Sequence, residues 1–569
     1  MSDTTATRPQ GVTEAGTIQP AVLRALQSIV GERNASAQRA VLTTYYWNGG
    51  VGAMPGPKQG KHWPLAVVMP GSTEEVAAIV KLCVAEGIRY RAHSTGNGGT
   101  FVSQLPNVIV VDLMRMNRIV KLDPANQMAV IEPYVTAGRL QAEAMKVGLT
   151  CHIVGAGPSH SPLASATSFL GVGITGASTG HNVRNLLSLE WVSPTGDIVR
   201  IGSEGDDWFS EEGPGPGFRG IIRGLNGANG SLGIFTRIGY KLYPWAGPGQ
   251  MELTHAHPQI GFRLTPKMRL FLPVWPSAEQ MTEATFRINR SRVAFAVLRM
   301  PPGHIGWTLT KDNGEYVHRR ANGDLSECTA MDNRFAWQIL TTGVTERHAA
   351  LQARTVERIV AETGGRFMSI SEQDEQVLVR NLVTSAYVAR VFRGAGSGGT
   401  SFGVMDSFNL WPGLVRAAEG QMEKERQPGG AFVTDGKEGF WAWPTESRQL
   451  WCENILASQG GTEKGIAAGW KSFFEHLYLV DRSPRFGVMA FIGGPLFDLF
   501  SSRRYGASHW MRRIKLSLDP GNHADHSMSV GPKEVPVARA WPLIMRFLFS
   551  KLGAPVLRSI TKKAARMSL

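Results

Sequence analysis

The chain has 569 residues, 43% hydrophobic and 19% charged, a globular balance that excludes a disordered or fibrous protein. Such a length exceeds one ordinary core, so two or more domains are expected. The net charge of +14 calls for an acidic partner (nucleic acid, anionic cofactor or lipid surface), but the basic residues form no arm or recognition helix, which argues against nucleic acid.

Cys83, Cys151, Cys328 and Cys452 stand far apart without a Cys-x-x-Cys pair, so no metal centre of the usual kind is expected, and the thiols fit a reducing compartment. The leader MSDTTATRPQGVTEAGTIQP lacks the pattern of a secretion signal, and no apolar run reaches roughly 18 residues. A cytoplasmic protein is the expectation.

In chain order, PAVLRALQSIV predicts a short helix. The run PLAVVMPGSTEEVAAIVKLCVAEGIRYRAHS predicts strand, helix and strand: Ala66–Met69, a helix capped by Ser72 with Glu75 three residues on, then Ile88–Tyr90. The glycine turn STGNGG follows that second strand directly. Small side chains and several backbone N–H groups there make either an anion cradle or an ordinary glycine loop. NVIVVDL and QMAVIEPYV predict neighbouring strands, AGRLQAEAMKVGL a helix, and LSLEWVSPTGDIVRI a hairpin turning on Pro194-Thr195-Gly196. GSLGIFTRIGYKLYPW predicts a last strand of this domain, which closes near residue 246. Residues 247–480 read as a second domain containing the helix ERHAALQARTVERIVAETGG. WMRRIKLSLDPGN predicts a basic helix stopped by Asp519-Pro520-Gly521.

With 65 glycines, chance motifs are expected. GxGxxG occurs at Gly171-Gly173-Gly176, Gly215-Gly217-Gly220 and Gly394-Gly396-Gly399, but none sits between a strand and a helix as a Rossmann turn requires. ITGASTGHN, after the first match, is too rich in glycine and threonine to begin a helix. No GxxxxGK[ST] loop is present.

Taken in order, PGSTEEVAAIVKLCVAEGI, HSTGNGGTF, VIVVDLMRMNRIVKLD, AVIEPYVTAGRLQAEAMKVGL, LSLEWVSPTGDIVRIG and GANGSLGIFTRIGYKLYP resemble the FAD-binding domain of the vanillyl-alcohol oxidase and p-cresol methylhydroxylase (PCMH-type) superfamily, which includes glycolate oxidase flavoprotein subunits. The resemblance implies an α+β fold. It comprises an N-terminal leader and helix (1–59), a two-subdomain FAD-binding domain (60–246), an α+β cap over the substrate (247–480), a segment returning to the FAD domain (481–530) and a basic amphipathic tail (531–569). It places Ser94, Thr95, Gly96, Asn97, Gly98 and Gly99 around the FAD pyrophosphate. Gly230, Gly233, Ile234 and Thr236 would lie at the adenine half, and Gly171, Gly173 and Gly176 along the isoalloxazine. Two departures stand out: Tyr134 replaces the usual glycine of a Glu-Pro-Gly turn, and Asn97 interrupts the glycine run.

His181 falls where relatives carry an acidic or small polar residue near flavin N5. It is the candidate to take the substrate hydroxyl proton, with a purely hydrogen-bonding role as the alternative. His93 precedes the glycine turn by one residue, outside the usual attachment positions, so non-covalent FAD is expected. Tyr387, Arg390 and Arg393 in AYVARVFRG are the candidate substrate contacts of the cap, and His304 is a further candidate without a motif.

The implied activity is oxidation of an alcohol, hydroxy acid or benzylic or phenolic substrate by hydride transfer to flavin N5. Electrons would pass to an external acceptor: oxygen, a quinone or a redox protein. The alternative is a non-redox transferase of the alkylglycerone-phosphate synthase type. In the tail, apolar residues from Trp541 to Met567 alternate with Arg546, Lys551, Arg558, Lys562, Lys563 and Arg566. That pattern suits either an anionic membrane face, making the protein peripheral there, or docking on protein.

Overall fold

The computed structural model describes residues 9–46, 62–96, 103–168, 171–202, 219–222, 227–255, 259–330, 333, 335–387, 398–416, 441–446, 449–457, 462–482, 488–489, 494, 496–501 and 507–566. Helix α1 (Pro20–Val30) has proline in its first turn and buries Val22, Leu26 and Val30 along one face. It is followed by β1 (Ala35–Ser36), α2 (Arg39–Tyr46), β2 (Ala66–Val68), α3 (Thr73–Ala85), β3 (Arg89–His93) and β4 (Val108–Asp112). The start of α3 is set by its cap. Ser72 Oγ accepts from Glu75 N at 3.2 Å, and the Glu75 carboxylate accepts from Gly71 N at 2.7 Å. Val76, Ile79, Val80 and Cys83 then form its buried stripe. The sheet runs β1-β2-β4-β3, with β4 parallel to both neighbours.

A second layer contains β5 (Ile119–Asp123), β6 (Met128–Ile131), α4 (Ala137–Met145), β7 (Leu149–Thr150), α5 (Pro162–Thr167), α6 (Gly176–Thr179), β8 (Leu186–Val192), β9 (Ile198–Ile201), β10 (Ile234–Lys241) and β11 (Tyr243–Pro244). Its antiparallel sheet has the order β5-β6-β10-β8-β9. Buried Glu190 on β8 links the layers by accepting from Thr73 Oγ1 of α3 at 2.6 Å.

Two expectations need correction. NVIVVDL and QMAVIEPYV are not neighbours: β4 lies in the first sheet and β6 in the second. The intervening NRIVKLDPAN supplies β5, which takes the place beside β6. It turns at Asp123, whose Oδ1 accepts from Asn126 N at 3.0 Å, and at Gln127 with φ of 51°. ITGASTGHN does contain one helical turn, the four residues of α6, ended by Gly180 at φ 71°.

The cap has a sheet in which strand Gln338–Thr342 lies between Met268–Phe271 and Ala294–Leu298. A second cap sheet has the order Trp441–Thr445, Gln449–Ala457, Gly398–Ser407 and Val488–Met489. Helices Ala278–Ser291, Glu346–Glu362 and Glu372–Thr384 lie between these strands in sequence, each capped by a serine or threonine that accepts from a backbone amide.

After helix Ala507–Leu518 the chain returns to the first sheet. Tyr90 N donates to His523 O at 2.9 Å and Asp525 N to Tyr90 O at 3.0 Å, so this segment extends the exposed side of β3. A buried ammonium secures the return. Lys515 Nζ donates to Ser231 O at 2.9 Å, to Ala524 O at 2.8 Å and to the Asp519 carboxylate. Asp519 in turn accepts from His523 N and Ala524 N, each at 2.9 Å. Arg91 on β3 pairs with fully buried Asp525 at 3.3 Å. Burial alone would raise the Asp525 carboxyl, but Arg91, with the hydroxyls of Ser103 and Ser527, holds it below its ordinary value. Asp519→Ala strands the Lys515 charge and two amides, so urea unfolding should lose about 3–5 kcal/mol. Hydrogen exchange should show the amides of residues 523–525 opening first.

Candidate active site

The glycine turn begins where β3 ends. Leu113 N donates to His93 O at 2.9 Å, fixing the strand end, and Ser94 Oγ donates to Pro133 O at 2.6 Å. Ser161 Oγ donates to the same carbonyl at 2.5 Å, so one acceptor after β6 anchors two loops. Gly96 has φ 66°, and a Cβ there would meet the His93 ring at 3.2 Å. The position requires glycine both for its conformation and for the ring beneath it. Asn97, Gly98 and Gly99 lie outside the described residues. Tyr134 keeps the tight turn, its N donating to Met116 O at 2.9 Å, and it is absent from the positive-φ residues. Glycine is therefore not required there.

The turn before β10 has Gly230 at φ 80° and Gly233 at φ 88°. It is bound to the returning segment: Asn229 Nδ2 donates to Met528 O at 2.8 Å and Lys515 holds Ser231 O. Residues 523–528 thus bridge β3, which leads into the glycine turn, to the Gly230–Gly233 turn. Ile234 pairs with Val192 in the ladder, and Thr236 Oγ1 donates to Glu190 Oε1 at 3.1 Å.

Gly171 and Gly173 serve packing on their Cβ sides. A Cβ at Gly173 would lie 1.9 Å from Ile153 O, and one at Gly171 would lie 2.5 Å from the Asn182 Cβ. Gly176 faces the cap, where a Cβ would lie 2.9 Å from Pro444 O. Glu446 N donates to Gly176 O at 2.8 Å, and Glu446 pairs with Arg184. Here the cap turn Thr445–Glu446 seats on α6.

One face of the second cap sheet covers this region. Register pairs Trp441 with Glu453, Trp443 with Trp451 and Thr445 with Gln449, placing all six on one side. Trp441, Trp443 and Trp451 join the core that continues into the second FAD-domain sheet, whereas Ala442, Leu450 and Cys452 belong to a separate core behind. Gly155 lies beneath Trp443, where a Cβ would come within 2.8 Å of the indole. Tyr387 is fully buried, its ring 4.9 Å from Trp441, and Ser385 Oγ donates to Gly155 O at 3.2 Å. Arg390 and Arg393 lie outside the described residues. His304 is also buried and accepts from Trp441 Nε1 at 2.6 Å, a structural tie within the cap.

Burial controls ionisation here. His181, 5% exposed, is pushed down to about 4 by desolvation, aided by Arg184. His160 is also pushed down to about 4 by burial, and His152 is held well below its ordinary value by burial with His181 and His160 nearby. Glu453 moves the other way, pushed up to about 8 by burial despite the 3.1 Å hydrogen bond from Trp451 Nε1. Sequence reasoning missed Glu453. Its only trace was an acid within the largely apolar run LWCENILA, at a position whose alternation faces inward. The buried pair Lys515–Asp519 was visible as an i,i+4 spacing and was not singled out.

The fit to a flavin rests on orphaned polar atoms. His160 Nε2, His181 Nε2, Trp443 Nε1 and Thr445 Oγ1 are buried without hydrogen-bond partners among the described residues, and they belong to the segments that meet between α6 and the cap sheet. A polar ring system inserted there would satisfy several of them, as buried groups require. The glycine turn and the Gly230–Gly233 turn suit the remainder of a long anionic nucleotide.

These features define a flavin-binding fold in two parts, an FAD domain and a cap. Residues 64–202 match the FAD binding domain family, so FAD is the cofactor and an α+β FAD-binding domain is present. The chain is 28% identical over 246 residues to the 4-cresol dehydrogenase (hydroxylating) flavoprotein subunit of Pseudomonas putida, covering 42% of this chain and 44% of that one. It thus spans less than half the length of this curated relative. A solved p-cresol methylhydroxylase with substrate bound superposes with a TM-score of 0.68 at 16% identity, over 92% of this chain and 99% of that one. An alkyldihydroxyacetonephosphate synthase structure gives 0.59 at 14% identity, over 92% and 88%. Both share the fold.

Stability should respond to pH with opposite signs on the two sides of neutrality. Glu453 binds its proton more tightly folded than unfolded, so its contribution is present below its unfolded value near 4.5 and is lost as pH rises through about 8. The imidazoles at about 4 contribute above 6.5 and lose that contribution as pH falls through 4. Thermal melts of Glu453→Gln should keep the acid limb and flatten the loss between pH 6 and 8.

Proposed function

We propose that the chain is an FAD-dependent oxidoreductase acting on an alcohol, hydroxy acid or benzylic or phenolic substrate, and that a hydroxylated aromatic compound is the preferred class. The observation that carries this reading is the cap face of Trp441, Trp443 and Trp451 beside Tyr387 and Glu453, lying over α6. Stacked indoles favour a flat apolar ring, and a carboxyl that titrates near neutrality suits a ring hydroxyl. The similarity to a 4-cresol dehydrogenase subunit supports the same class.

FAD, when bound, supplies the hydride acceptor at N5. In this reading residues 60–246 hold it and 247–480 cover the substrate. Ser94, Thr95 and Gly96, with Asn97, Gly98 and Gly99, cradle its pyrophosphate, Gly230 and Gly233 approach its adenine half, and no histidine is attached to it. His181 is uncharged at neutral pH. At about 4 it is too weak a base to hold a proton, so it orients the substrate hydroxyl by hydrogen bonding. Glu453, at about 8, is matched to accept the hydroxyl proton once ionised. Tyr387 and the tryptophans position the ring and exclude water. Electrons leave to an external acceptor (oxygen, a quinone or a redox protein), and a membrane quinone would require the protein at the bilayer surface.

Anaerobic mixing with a hydroxylated benzyl alcohol should bleach the flavin absorbance, and acid precipitation should release the colour into the supernatant. The pH profile of kcat/KM should rise with a midpoint near 8. Glu453→Gln should remove that rise and lower kcat by roughly 10²–10⁴, while His181→Asn acts mainly on KM. Product exchange without bleaching would sink the redox reading in favour of the non-redox transferase.

A further inference from the structure

Among the described residues no helix is long and apolar enough to cross a membrane. Helices Trp541–Leu548 and Ala554–Arg566 nevertheless carry more apolar surface than their docking uses. Met545 and Leu548 of the first, and Leu557, Thr561 and Ala565 of the second, are buried. The second packs on helix Glu463–Arg482, where Arg566 reaches Glu463 at 3.0 Å, and Phe549 at the end of the first stacks on Tyr478 of the same helix at 4.6 Å. Docking on the chain's own cap therefore accounts for one row of apolar residues.

A second row faces outward. Leu543 is 67% exposed, Phe547 48%, Leu552 82%, Val556 42% and Ile560 45%. Leu543 and Phe547 are one turn apart, as are Val556 and Ile560, with Leu552 on the connection between the helices. Single exposed apolar residues are ordinary, but five within eighteen positions form a patch. Around it stand Arg546, Lys551, Arg558, Lys562 and Lys563, all exposed. Residues 535–569 contain no aspartate or glutamate.

We propose that these two helices form a peripheral docking face for an anionic lipid bilayer, with the exposed apolar row in the headgroup boundary and the cations on lipid phosphates. Charge selects this occupant. A second copy docked symmetrically would bring the same uncompensated cations together, whereas an anionic leaflet neutralises them. Helices of this kind lie in the interface plane without crossing it.

The test uses the full-length FAD-loaded protein in flotation with phosphatidylcholine vesicles, with and without phosphatidylglycerol. The wild type should float with the anionic vesicles only, and added salt should release it. Replacing Arg558→Gln, Lys562→Gln and Lys563→Gln together should weaken partitioning on the order of a hundredfold, each cation near the surface contributing roughly fivefold. Leu552→Ser, Val556→Ser and Ile560→Ser together should weaken it at low salt as well. All these side chains are exposed, and unchanged flavin absorbance reports an intact fold, so the outcome is independent of any substrate. Flotation equal on neutral vesicles, no flotation at all, variants that float like wild type, or a concentration-dependent dimer removed by the serine changes would each overturn the proposal.

Discussion

The ammonium of Lys515 has no route to solvent, and its charge is balanced by what it joins. It takes carbonyls from the turn before β10 and from the returning segment, and a carboxylate one helical turn along its own helix. A charge taken out of water costs several kcal/mol unless its hydrogen bonds are complete, so the three acceptors cannot drift apart independently. The constraint passes through Asp519 and Asp525 to β3, and from β3 to the glycine turn. The glycine turn after β3 and the Gly230–Gly233 turn therefore both depend on a segment far from either in the chain.

The site itself is arranged to be nearly uncharged at neutral pH. The same desolvation moves Glu453 up and His152, His160 and His181 down, so the acid keeps its proton and the imidazoles go without. Buried surroundings tolerate neutral groups and penalise unpaired charges. The nearby charges that remain are paired at its edge, as Arg184 is with Glu446 where the cap turn meets α6. That ion pair and the Glu446–Gly176 hydrogen bond fix how closely the aromatic face approaches.

Local chemistry was legible in the residues. The Ser72 cap, the hairpin at Pro194-Thr195-Gly196 and the helix ending at Asp519-Pro520-Gly521 each depend on neighbours within a few positions. What failed depended on distant partners. β4 and β6 look alike as apolar runs, and only the sheet each joins separates them. The close packing on the Cβ sides of Gly171 and Gly173, against Asn182 and the backbone of Ile153, is likewise invisible to local spacing. Glu453 was hidden because its setting lies in register: it shares the inward face of the cap sheet only because it stands opposite Trp441. His181 was identified from the resemblance, but its low proton affinity follows from burial, which no spacing reports.

The return of the chain to β3 also orders events during synthesis. His523 Nδ1 donates to the carbonyl of Ile88 across 435 positions, and at about 5–20 residues per second a ribosome needs roughly 20–90 seconds to span that interval. Throughout that time the nascent first sheet has a bare edge at β3, the kind of unpaired strand that invites pairing with another chain. Completion of that edge thus belongs to the last moments of translation or after release, and a cell making this protein quickly must shield it until the final helices emerge.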